Sequence, residues 1–198
     1  MTDIKTLIRT SAILVLLICL SACTAKKETQ TYFIHAAYFD KSDSNIAATM
    51  LVERMSGDKS KFFTVVQKEK NLDTVCDQLQ KRYRECYFAT CDLLFINDSA
   101  DEDFLFELAE QLCRGNRIPI TSDIFCLKDS AKEFFKAFEK YEDLAEFKNK
   151  LSHRKVNSVA FFANYSSGKD ATLSLIESEK HVGKITFIKG KDAEIERK

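Results

Sequence analysis

Apolar positions along this chain change their spacing in a regular way, and the changes mark out its elements. The first apolar block, Ser11 to Leu20, sits behind a short basic segment carrying Lys5 and Arg9. That order is the order of a secretory signal. Crossing a bilayer core of roughly 30 Å takes about 20 apolar residues, so a run this short predicts export rather than a span. Beyond the polar stretch Thr24 to Gln30, the continuous run Tyr32 to Phe39 reads as a buried strand, closed by the turn Asp40-Lys41-Ser42-Asp43-Ser44. Ile46 to Met55 repeats the pattern and forms a hairpin with it. Ser56 to Ser60 is the next turn, and Phe62 to Gln67, rich in β-branched and aromatic residues, is a third strand.

The spacing then lengthens to three and four. Leu72, Val75, Cys76, Leu79 and Tyr83 share one face of a helix predicted over Asn71 to Arg84, with Asn71 as its N-cap. Cys86 to Ile96 is the most apolar run of all and reads as a central strand buried on both faces. Asp98, Asp101, Glu102 and Asp103 then form an acidic first turn, favourable against the helix dipole. The helix behind them carries Phe104, Leu105, Leu108, Ala109 and Leu112 and is stopped by Gly115. Ile120 to Leu127 is a strand. Ser130 caps one long helix to about Asn149, bearing Phe134, Phe135, Phe138, Leu144 and Phe147. Val156 to Asn164, Ala171 to Ile176 and Val182 to Lys189 read as three strands, with Ser166-Ser167-Gly168 turning between the first two and a charged tail from Lys191. The predicted fold class is α/β (α+β): a mixed β-sheet flanked by helices, with a C-terminal helix-linked β appendage.

The boundary of the leader carries the one strong chemical signal. Leu20-Ser21-Ala22-Cys23 resembles the bacterial lipobox, in which the cysteine sulfur is diacylated and the peptide is cut just before it. Cys23 is therefore the predicted lipidation site and mature N-terminus. Two or three acyl chains hold a protein on a membrane where one does not. A plain secretory signal with a chance cysteine, or an uncleaved anchor, are the alternatives. The resulting organisation is a signal peptide over residues 1–22, a lipidated tether over 23–31, an α/β domain over 32–136, and a helix with β appendage and charged tail over 137–198.

Composition alters this picture little. The chain has 30 basic and 30 acidic side chains, and a net charge of zero gives no long-range pull toward nucleic acid or anionic lipid. Sixteen Phe, one Pro and no Trp describe an aromatic-rich core. Setting aside Cys19 and Cys23 leaves Cys76, Cys86, Cys91, Cys113 and Cys126, an odd set that cannot all pair internally. Free, buried thiols in a reducing niche are expected, with metal binding the sharper alternative. His35, His153 and His181 lie far apart in the sequence; His35, inside a strand, is expected to be a hydrogen-bonded structural histidine. Ser167-Gly168-Lys169 lacks the earlier glycine and following Ser/Thr of a phosphate loop and reads as a hairpin turn. The acidic group at 98–103 could hold Ca²⁺ but lacks the glycine-bearing loop and distal Glu, so it reads as helix N-terminal charge. No catalytic residue, cofactor or metal site is predicted.

The stretch from Phe62 to Phe135 resembles a known family. Its pieces are Asn71-Leu72-Asp73-Thr74-Val75, Cys86-Tyr87-Phe88-Ala89-Thr90, Phe104 to Arg114 with Arg117, and Asp129-Ser130-Ala131-Lys132-Glu133, together with the lipobox at Cys23 and an early strand ending at Asp40. This order is similar to the N-terminal domain of the Ger(x)C-type spore germination lipoproteins, the C subunits of germinant receptors. Members of that family carry further C-terminal domains, so the chain is read as a shortened relative. The resemblance implies a non-enzymatic subunit without cofactor, lipid-anchored on the outer face of the spore inner membrane. It also implies integral membrane germinant-receptor subunits as partners, and no nucleic acid. A ligand-binding or structural envelope lipoprotein of unknown partner is the alternative.

Overall fold

The computed structural model describes residues 30–42, 45–115 and 117–197. Among the described residues ten strands form one mixed sheet, and five α-helices pack on its two faces. In chain order the strands are β1 Thr31–Ser42, β2 Asn45–Ser56, β3 Lys59–Glu69, β4 Cys86–Tyr87, β5 Leu93–Asn97, β6 Asp123–Leu127, β7 Val156–Asn157, β8 Ala171–Glu177, β9 Lys180–Phe187 and β10 Glu194–Arg197. The helices are α1 Leu72–Arg82, α2 Glu102–Gly115, α3 Ala131–Phe135, α4 Tyr141–Lys150 and α5 Ser158–Ser166, with a 3₁₀ turn at Ser152–Arg154.

Across the sheet the order is β10-β9-β8-β6-β5-β1-β2-β3. The centre, β8-β6-β5-β1, is parallel, and an antiparallel pair extends it on each side. The segment after residue 137 therefore continues the same sheet outward, through β8 against β6 and then β9 and β10. Parallel strands are buried on both faces, and β5 is: Leu93 and Phe95 point to one core, Leu94 and Ile96 to the other. The larger core packs α1, α2 and α5 against the sheet through Leu79, Leu108 and Phe161 among others. The smaller one packs α3 and α4, with Phe95 meeting Phe134 at 5.3 Å, Phe125 at 5.8 Å and Phe135 at 5.9 Å between ring centroids.

Four elements depart from the sequence reading. Val156 to Asn164 is not a strand: only Val156–Asn157 pairs, and Ser158–Ser166 is helical, with the Asn157 side chain accepting from the Val159 N–H at 2.9 Å. Ser166-Ser167-Gly168 consequently ends a helix rather than joining two strands. Cys86 to Ile96 is not one strand but β4 and β5, which occupy the same lane beside β1 and are separated by a turn. Within that turn the Cys91 N–H donates to the Phe88 carbonyl at 2.9 Å. The helix read from Ser130 to Asn149 is α3 and α4, because the Asp143 carboxylate accepts from the N–H groups of Glu139 and Lys140 at 3.1 Å each and starts a new helix there. That break lets Phe138, between the two helices, meet Phe134 at 5.3 Å and Phe147 at 5.4 Å. Finally, the charged tail contains β10.

Candidate functional site

β1 is irregular at its middle, and the irregularity builds the most polar spot in the interior. Ile34 pairs with Val52 and Ala36 with Leu51, so His35 is an extra residue, a β-bulge. The carbonyl of Ile34 is met by the Thr90 hydroxyl at 2.8 Å, from the turn that separates β4 and β5. The bulge aims the His35 ring into the smaller core, where it stacks on Phe62 at 5.4 Å and touches Tyr141 edge-on at 5.8 Å. Its Nε2 shares a 2.7 Å hydrogen bond with Oε2 of Glu53, and the Ser60 hydroxyl donates to the other oxygen of the same carboxylate. His35 and Glu53 are 7% and 8% exposed, so this is a structural pair of the expected kind. Glu53 stands between Ser60 and His35, so the hydroxyl donates to the carboxylate rather than meeting the imidazole.

Two clefts open elsewhere. One, of about 670 Å³, lies between the acidic turn Asp98–Glu102, Tyr165 and the segment from Phe187 to Ala193. The acids there serve the helix they precede. Asp101 accepts from the Phe104 N–H at 2.7 Å and from Lys41 at 3.1 Å, which together hold its carboxyl below the usual range. The Gly190 N–H donates to the Glu102 carboxylate at 3.0 Å. The second cleft, of about 500 Å³, runs between β3 and α3, floored by Phe62, Phe135 and Phe138 and rimmed by Lys61, Lys132 and Lys136.

The remaining residues singled out from the sequence are dispersed. Cys23 lies outside the described residues. His153 is in the 3₁₀ turn and His181 in β9, each on a different element from His35. Gly168, at φ +74°, closes α5: the N–H groups of Ser167, Gly168 and Lys169 bond back to Ala163, Tyr165 and Asn164. A helix C-terminus presents carbonyls, the wrong polarity for a phosphate. Among the described residues no three His, Cys, Asp or Glu side chains gather as a metal site. Cys76, Cys86, Cys91 and Cys126 are buried free thiols, whereas Cys113 is exposed, contrary to the expectation that all are buried. Burial raises the thiol of Cys76 to about 12 and that of Cys86 to about 11, and it raises Cys91 and Cys126 further in the same direction. Held as thiols, these four are poor nucleophiles. The interior of this domain thus offers packing and a hydrogen-bonded bulge, and its distinctive features lie on the surface.

Comparison with known families gives the chain its class. The profile of the spore germination protein N-terminal domain matches residues 26–177, a stretch that ends with β8. The chain belongs to this family, in agreement with its resemblance to the Ger(x)C-type N-terminal domain. No curated protein and no solved structure matches it. No helix among the described residues is long and apolar enough to cross a membrane.

Proposed function

We propose that the chain is a non-enzymatic subunit of a spore germinant receptor, acting in nutrient-triggered germination. Acyl chains on Cys23 anchor it at the extracytoplasmic face of the spore inner membrane, where it works with integral membrane receptor subunits. One observation carries the reading: the family match begins at residue 26, three positions after the Cys23 that closes the lipobox. A lipobox so close ahead of a germination domain supports an export signal, an anchor and that domain in direct succession. Among the described residues the buried His35–Glu53 pair is tied into the sheet and burial holds four cysteines as thiols, which fits a subunit that acts by binding.

Two experiments test this. Cys23→Ala should move the protein from the membrane to the soluble fraction, and retention of the variant after a high-salt wash would count against lipid anchoring. Affinity purification of a tagged copy from crosslinked spore membranes should recover a multi-spanning partner absent from the same preparation of vegetative membranes. Recovery from vegetative cells with an unrelated permease would instead support a ligand-binding envelope lipoprotein.

A further inference from the structure

The described part of the chain begins at Gln30, next to Thr31, the first residue of β1, and the surface at this root is aromatic and basic. Aromatic rings crowd both faces of the sheet there. On one face Tyr32 packs on Tyr83 at 4.6 Å and on Phe63 at 6.3 Å. On the other, Phe33 stacks on Tyr87 at 5.5 Å, and Met55, the partner of Thr31 across β2, lies diagonal to Phe33. Tyr87 is 50% exposed and Met55 36%. Around the rings stand Arg54, Lys59, Lys61, Arg82 and Arg84, all exposed, against the acids Asp58 and Glu85. The pairing of Arg54 with both Tyr32 and Lys61 fixes these side chains at the root, and the Arg82 guanidinium sits 5.4 Å over the Tyr83 ring.

The opposite end of the same strands has the reverse balance. Asp40, Glu69, Asp98, Asp101, Glu102 and Asp103 stand there against Lys41, Lys68 and Lys70. A net charge of zero therefore conceals a polarised molecule, basic and aromatic at the root and acidic at the far end.

We propose that the root of β1 is a docking surface for an anionic lipid bilayer. Tyrosine, phenylalanine and methionine suit the headgroup boundary, and basic side chains gain from acidic headgroups. The proposal rests on Cys23 as the anchor. Cys23 to Gln30 is eight residues, a length that spans at most about 28 Å fully extended, so an acylated chain holds this root, and not the acidic end, next to the membrane. Confinement of that kind makes docking an intramolecular event, in which modest surface affinity suffices.

The test uses residues 23–198 with Cys113→Ser, coupled through Cys23 to a maleimide lipid, so that attachment does not depend on cellular acylation. Because the chain has no Trp, Tyr87→Trp places a single fluorophore in the patch, and Met55→Trp is a second reporter should the first disturb the stack on Phe33. On phosphatidylglycerol vesicles with brominated acyl chains, the fluorophore should shift to the blue and be quenched at low salt. Both effects should recede near 1 M salt, where the Debye length is about 3 Å, and on pure phosphatidylcholine. Lys59→Gln with Lys61→Gln should lower the ratio of docked to undocked protein about 30-fold. A tethered chain that stays unquenched on phosphatidylglycerol would overturn the docking surface alone, as would quenching that appears only when an integral membrane partner is added. An unmodified Cys23 in the protein isolated from cells, read by mass spectrometry, would overturn the anchor and the docking proposal with it.

Discussion

His35 and Glu53 show how one residue too many in a strand can specify a structure. The bulge turns a histidine inward, and the neighbouring strand supplies a carboxylate that also holds Ser60. Removing either partner leaves a buried polar group unmet, at a cost of about 1–3 kcal/mol. Glu53→Leu and His35→Leu should each destabilise by that much, and the double variant by less than their sum; additive losses in urea denaturation would show that the two act separately. Asp101 yields a pH prediction. Its folded value is lowered by the Phe104 N–H and by Lys41, so its contribution is complete above the ordinary carboxylate value of about 3.9 and is lost as the pH falls through the lowered one. Asp101→Ala should cost about 1 kcal/mol near neutrality, and denaturation midpoints of variant and parent should converge as the pH drops below about 4. The cap at Asn71 and the acidic turn were legible because a helix end is decided by residues three apart, and the Asn71 side chain does accept from the Thr74 N–H at 2.8 Å. That His35 would be hydrogen-bonded was legible too, but its partner was not, since Glu53 becomes a neighbour only through the register of another strand.

At the scale of elements, the sequence pattern located the long strands and the first two helices and faltered wherever apolar residues were continuous. The run Cys86 to Ile96 looks uniform by hydropathy, yet Thr90 and Asp92 mark the turn where the lane breaks, and the break answers the bulge in β1 through the Thr90 hydroxyl. Val156 to Asn164 looks like a strand because of its valines and phenylalanines. The helical signal was Phe161, Phe162 and Tyr165, three buried residues at helical spacing behind an Asn cap. The long aromatic helix splits at the Asp143 cap, where neither glycine nor proline announces it, and the two short helices bring Phe134, Phe135 and Phe147 onto one ring, Phe95, while Phe138 between them meets Phe134 and Phe147. Phe95→Ala should therefore cost about 3–5 kcal/mol, and a loss under 1 kcal/mol in equilibrium unfolding would mean that the cluster is loosely packed. Gly183 makes a contrasting case. A Cβ there would come within 2.2 Å of the Glu196 carbonyl oxygen, so Gly183→Val should expel β10. Since all four β10 residues are exposed, hydrogen exchange should show lost protection at Glu194 to Arg197 with little change in the unfolding midpoint.

The described fold is a sheet with a parallel centre and antiparallel flanks, and β1 and β8 are the strands where these two regimes meet. One edge of β1 is satisfied locally, where Ala36 stands opposite Leu51 in the same hairpin, while the other waits for Leu93, which arrives only after β3 and α1 have passed. Contacts close in sequence form sooner than distant ones. Pulse-labelling during refolding should find amides of β2 and β3 protected before those of β5 and β6, and simultaneous protection would contradict this order. A ribosome or an export channel delivers the chain from its N-terminal end, so the β1–β2–β3 meander exists for a time with one flank bare. In that interval the bulge at His35 acquires a second meaning: a strand with an irregular backbone is a poor template for a stranger, and the flaw that seats a histidine in the finished protein also guards the unfinished one against pairing with its own copies.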